Sequence, residues 1–149
     1  MECRAVLTFP LVILTCLLGT ADSNPTRSPC ATQSSFSMET VMNHPIPRRC
    51  KKGLMTWHYP MGSMILHFQP RIPENRTVWV CVSADTAATG MGLSDVTAER
   101  VRPLPNFVSR YYATCVPTVE GRVDLKWDVS QEIATYIATI AYTVVKVPR

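Results

Sequence analysis

Four cysteines constrain this chain more than any other feature. Two others, Cys3 and Cys16, fall in a segment that reads as a leader. There Arg4 precedes "AVLTFPLVILTCLLG", and Gly19-Thr20-Ala21 sets small residues before a cleavage point. The apolar run is too short to cross a membrane and has the layout of a secretory signal peptide over residues 1–21. Residues 22–149 then keep Cys30, Cys50, Cys81 and Cys115. In an oxidising compartment four cysteines read as two disulfides, with three connectivities open. No Cys-x-x-Cys occurs, which argues against a zinc ribbon or a thioredoxin-like redox site. No later stretch reaches the roughly 20 apolar residues that a span needs. The expected product is one secreted, extracellular domain, stapled twice, with its own core.

The pattern between the cysteines is that of strands. "GRVDLKWDV" alternates Val123, Leu125, Trp127 and Val129 with Arg122, Asp124, Lys126 and Asp128, a period of two with one apolar and one charged face. "LMTWHY", "MILHF" and "TVWVCVS" are short, rich in β-formers and separated by Pro, Gly and Asn. "SDVTAERVRPL" reads as a half-exposed strand. "EIATYIATIAYTVVKV" fits a helical stripe through Ile133, Ile137, Ile140 and Val144, but its Thr, Tyr, Ile and Val favour a strand buried on both faces. Up to about residue 49 the chain is Ser, Thr, Pro and Asn, an extended segment pinned by Cys30 with a short helical turn at Met38 to Met42. Many short strands and two disulfides make the fold class all-β, a disulfide-bonded sandwich.

Within "CKKGLMTWHYPMGSMILHF", Tyr59-Pro60-Met61-Gly62 has the chemistry of a turn with a left-handed closing glycine. It predicts a hairpin in which Trp57 faces Ile65 and Thr56 faces Leu66. That register opposes His58 to Met64 and His67 to Met55, so the two histidines point to opposite faces and are not paired metal ligands. Met55, Met61 and Met64 read as core filler and turn surface. Asn75-Arg76-Thr77 is an intact glycosylation sequon after Pro73, whereas Pro25 disables the one at Asn24.

Cys30, Cys50, Gly53, Trp57, Tyr59-Pro60, Gly62, Val80-Cys81 and Cys115, in that order, resemble the N-terminal domain of the meteorin and meteorin-like family. "DVTAER" and "LKWDVSQEIATYIATIAYTV" look like that family's closing strands. The resemblance runs from about residue 30 to 147. It implies a CUB-like β-sandwich of jelly-roll type, pairing of Cys30 with Cys50 and of Cys81 with Cys115, and action as a signalling or protein-binding module. Meteorins continue into a netrin-like domain that a chain ending at Arg149 does not include, so activity that needs that domain is not carried over. Many CUB domains hold calcium through acids and a tyrosine. The sequence assigns no such set among Glu39, Asp85, Asp95, Asp124 and Asp128, so no calcium site is predicted and no cofactor is expected.

Function is the least constrained inference. No Gly-x-Ser-x-Gly, His-Glu-x-x-His or unpaired Cys with a His is present, so an enzyme is not expected. The expectation is a non-enzymatic extracellular protein that binds a secreted or cell-surface protein. A small enzyme inhibitor or a glycan-binding (heparin-binding) module is the alternative. The net charge of +4 is too mild for a nucleic-acid binder. Arg48, Arg49, Lys51 and Lys52 crowd around Cys50 and are either a solvated loop, a contact for an acidic glycan or lipid headgroup, or a processing site. Arg110, Tyr111 and Tyr112 are the candidate partner surface, unless "NFVSRYYATC" is an edge strand with half-buried tyrosines.

Overall fold

In a computed structural model, residues 29–33, 41–59, 62–109, 111–129 and 136–148 are described. The expected leader, the 38–40 part of the expected helical turn, Glu39, Pro60-Met61 and Arg110 lie outside them.

Ten strands form two five-stranded sheets. They are β1 (Ala31–Gln33), β2 (Val41–Ile46), β3 (Lys52–Tyr59), β4 (Ser63–Phe68), β5 (Arg76–Ala84), β6 (Met91–Asp95), β7 (Arg102–Leu104), β8 (Thr114–Pro117), β9 (Val123–Val129) and β10 (Tyr136–Pro148). The first sheet runs β1-β3-β10-β5-β8 and the second β2-β4-β9-β6-β7. Pairing is antiparallel except at two edges, where β1 lies parallel to β3 and β2 parallel to β4. The chain therefore changes sheet at nearly every connection. All-β architecture and two packed sheets are what the alternation and the β-formers imply.

The longer strands supply alternate side chains to one shared core. Trp57 and Met55 enter from β3, Val78, Val80 and Val82 from β5, and Ile140 from β10. They meet Met64, Leu66 and Phe68 of β4 and Leu125 and Trp127 of β9, all essentially without solvent contact. Phe68 and Tyr142 close the gap between the sheets edge to face, with ring centroids 5.3 Å apart. In β9 the apolar positions are buried and the charged ones point out, as its period of two requires.

Four local expectations need correction. β3 and β4 do not form a hairpin: β3 pairs with β1 and β10, and β4 with β2 and β9. Both strands carry one fully apolar face, and a hairpin would put those faces on the same side of one sheet. Splitting them between sheets lets the two faces bury each other. Gly62, at φ 106°, therefore serves a corner between sheets. Trp57 faces Ala138 instead of Ile65. "SDVTAERVRPL" is not one strand but β6, a turn and β7. Met42 is extended within β2, and the N-terminal segment contributes two edge strands. Finally, β10 is buried on one face alone: Ile137, Val145 and Val147 are exposed.

The disulfides join Cys30 to Cys50 and Cys81 to Cys115. The first ties the start of β1 to the turn before β3. There the Tyr142 hydroxyl donates to the Cys30 carbonyl at 2.9 Å. The second is a rung between β5 and β8. With sequence separations of 20 and 34, each bridge contributes about 3–4 kcal/mol by loop entropy.

Candidate functional site

The two outer faces of the sandwich differ in kind. On the second sheet the outward positions of β4 and β9 are polar and mutually satisfied apart from Ile65, and Val41 of β2 is exposed beside them. His67 Nδ1 lies 2.9 Å from Asp124 Oδ1 and its Nε2 lies 2.9 Å from Asn43 Oδ1. Lys126 pairs with Asp128 at 2.8 Å, and Ser63 donates to the same carboxylate. This is an ordinary solvated sheet face.

The first sheet is polar along one side, where Lys52, His58 and Gln33 lie. Its remaining outward rows are Leu54–Ala141–Ser83, Thr56–Thr139 and Val145–Trp79–Pro117, with the row of Lys52, Thr143 and the Cys81–Cys115 rung between. Leu54 is 50% exposed and Ile137 54%, with Val145 and Val147 also exposed. Along β10 the outward positions 137, 139, 141, 143, 145 and 147 carry no charge.

A loop leans over this face. Residues 105–113 connect β7 to β8 without forming a strand. Asn106 holds the loop by donating to the carbonyls of Ala88 and Met91 at 3.0 and 3.2 Å. Thr114 also donates to the Pro105 carbonyl. Val108 and Ser109 thereby wall a cavity of about 640 Å³ whose floor includes Leu54, Thr139 and Ala141. Tyr111 is 92% exposed and Tyr112 67% exposed, with Tyr112 stacked obliquely on Phe107 at 6.2 Å. The edge-strand reading of "NFVSRYYATC" is thus replaced by a loop that lifts both tyrosines into solvent; Arg110 is outside the described residues.

A second concavity, of about 920 Å³, lies where the turns around Cys50, the segment after β4, the β8–β9 turn and the end of β10 converge. Pro47 accepts from the Cys50 amide at 2.9 Å, closing the turn that presents Arg48 and Arg49. Glu120 and Gly121 both have positive φ, 49° and 83°, so they form a primed turn. Hydrogen bonds between Val119 and Arg122 in both directions close it. Arg48, Arg49, Lys51, Arg71, Arg122 and Lys146 line the groove. Lys52 belongs to β3 and is not in this lining.

The remaining candidates stay apart. His58 is in the first sheet, 2.7 Å from Gln33, and His67 in the second. Asp85 accepts from the Thr139 amide at 2.9 Å. Asp95 accepts from Thr97 and from Arg102, at 2.6 and 2.8 Å. Burial alone would raise the pKa of Asp95, but the Thr97 and Arg102 hydrogen bonds outweigh it, and the net shift is downward. Burial, helped by the charge of His67, lowers the pKa of His44. Burial raises the pKa of Tyr142. Among the described residues no three His, Cys, Asp or Glu side chains gather as metal ligands. Asn75 is exposed in the turn before β5.

The sequence reading missed the contributions of Arg71, Arg122 and Lys146 to the groove, because those residues come from distant segments. It also missed the apolar face. Its signal was present: β9 alternates apolar with charged residues, whereas β10 alternates apolar with Thr, Ala and Val.

Set beside known proteins, residues 32–141 match the family model described as "Meteorin-like protein N-terminal domain". A search of curated proteins gives no match. Among solved structures, the chain is similar to PliG from Aeromonas hydrophila, a periplasmic inhibitor of g-type lysozyme. The identity is 6% and the TM-score 0.46, with 71% of this chain and 98% of that one covered.

Proposed function

This chain belongs to the meteorin-like protein N-terminal domain family, and from that premise we propose that it is a secreted, non-enzymatic module that acts by binding a protein. Its partner is a folded secreted or cell-surface protein, and the contact is the outer face of the first sheet with the Tyr111–Tyr112 loop beside it. One observation carries this reading. Of the eleven exposed large hydrophobic side chains among the described residues, Leu54, Ile137, Val145 and Val147 lie on that face, and Phe107, Tyr111 and Tyr112 on the loop that borders it. Such clustering is the composition of a protein interface, with tyrosines as anchors beside a largely apolar sheet face on which Lys52 is charged. The disulfides support an oxidising, non-cytoplasmic setting.

Catalysis is disfavoured by how the candidate groups are engaged. Both ring nitrogens of His67 are taken up by Asp124 and Asn43. All four cysteines after the leader are bridged, leaving no thiol there to serve as a nucleophile.

The test is saturation binding of fluorescently labelled chain to intact cells, before and after trypsin or heparinase treatment. Trypsin should abolish binding, and after heparinase a saturable, trypsin-sensitive component should remain. Tyr111→Ala with Tyr112→Ala should weaken it at least about tenfold. Binding that resists trypsin, or a double variant that binds normally, would refute the proposal.

A further inference from the structure

The basic groove is independent of the apolar face and has its own chemistry. Its six cations come from four separate segments, and the one acidic residue in its lining is Glu120. The lining thus carries more positive charge than the net +4 of the whole chain. Much of that charge is uncommitted. Arg48 donates to the Gln69 amide oxygen at 3.2 Å, and Arg122 to the Thr97 carbonyl at 3.0 Å. Arg122 also lies 4.0 Å from Asp124. Among the described residues no carboxylate pairs with Arg48, Arg49, Lys51, Arg71 or Lys146.

Like charges held together oppose folding unless something fixes them, and here the scaffold does. The Cys30–Cys50 bridge holds the segment carrying Arg48, Arg49 and Lys51. The Lys51 carbonyl accepts from the Val144 amide at 2.6 Å, which fastens that segment to β10 two residues before Lys146. The primed turn at Glu120-Gly121 delivers Arg122. A rigidly concentrated positive trough is a site prepared for a polyanion.

We propose that this groove binds a sulfated polysaccharide chain, through Arg48, Arg49, Lys51, Arg71, Arg122 and Lys146. Arginine forks match sulfate oxygens in pairs, and the lysines add point charges along the trough. A volume of about 920 Å³ suits several sugar units better than one small anion. Two other polyanions fit less well. No Phe, Tyr or Trp lines the groove, so it offers no platform on which nucleic-acid bases can stack. The cations surround a concavity, whereas a bilayer is met by protruding basic and apolar side chains.

The experiment uses the disulfide-intact chain and a heparin-derived octasaccharide, with calorimetry and salt elution from a heparin column. Wild type should bind the octasaccharide and elute from heparin at distinctly higher salt than from a sulfonate resin. Arg71→Ser with Lys146→Ser should weaken octasaccharide binding at least tenfold and remove the excess retention. Lys52→Ser with Arg100→Ser removes the same charge elsewhere and should leave binding within twofold. Unchanged melting temperatures exclude misfolding as the cause. Equal losses from the two pairs would reduce the effect to net charge and overturn the proposal. So would equal affinity for the desulfated octasaccharide, for a single-stranded oligonucleotide, or for phosphatidylserine vesicles.

Discussion

Gly53 is where a single methyl group should do the most damage. It lies in β3 opposite Tyr142 of β10. With no side chain there, the tyrosine ring crosses the strand and its hydroxyl reaches the Cys30 carbonyl. A Cβ on Gly53 would sit 1.7 Å from that carbonyl oxygen and 2.4 Å from the tyrosine hydroxyl. The carbonyl is backbone, tethered by the adjacent disulfide, and cannot rotate away. Forcing the strands apart costs about 1–3 kcal/mol as overpacking. Losing the Tyr142 hydrogen bond adds about 1 kcal/mol. Gly53→Ala should therefore destabilise by about 3 kcal/mol, out of roughly 5–15 kcal/mol in total, and lower Tm by about 10 °C. Gly92→Ala is the control, since its Cβ would meet only the Asp128 Cβ, at 3.9 Å, and should shift stability by less than about 0.5 kcal/mol. Tyr142→Phe should cost about 1 kcal/mol alone, and in that background Gly53→Ala should cost less, because the two share one contact. Thermal unfolding by near-ultraviolet circular dichroism, with disulfides intact, reads the wild type and all four variants. Gly53→Ala melting within about 2 °C of wild type would refute the close approach of β1, β3 and β10.

Two further outcomes follow from the same geometry. His44 has a lowered pKa in the fold, so the unfolded chain binds its proton first; stability should fall as pH drops below about 6.5. Asp95, also lowered, holds its contribution above the unfolded carboxylate pKa and loses it as pH falls further. Urea melts from pH 7.5 to 5 should show the decline, and His44→Leu should flatten it; an unchanged slope would refute the first assignment. Material from a eukaryotic secretory host should carry one glycan on Asn75, lost on glycosidase treatment and absent from Asn75→Gln. A glycan that persists in that variant would refute the assignment.

Strand identity was legible because burial imposes a period of two, and β9 displays it without ambiguity. Sheet membership was not. The turn chemistry of Tyr59–Gly62 is compatible with a hairpin, and local sequence cannot reveal that the 13-residue β10 takes β3 as its partner. The β10 pattern was misread for a related reason. Its outward Ile137, Val145 and Val147 look like core residues in sequence, and the sheet order decides which face they occupy. The groove was half legible. Arg48, Arg49 and Lys51 are adjacent in sequence, but Arg71, Arg122 and Lys146 join them only when four connections meet at one place. Tyr111 and Tyr112 were legible as candidates, while their exposure depends on a loop held by Asn106.

The most direct test of the binding account places charge on each outer face in turn. Leu54→Glu with Val145→Glu puts two carboxylates on the apolar face of the first sheet; Val41→Glu with Ser94→Glu puts two on the second. All four positions point outward, so both variants should fold and be secreted. Saturation binding to trypsin-sensitive sites on cells should fall at least tenfold for the first pair, a loss of about 1.4 kcal/mol or more, and be unchanged for the second. Undiminished binding by the first pair, or an equal loss from both, would contradict the assignment of the apolar face as the protein-binding surface.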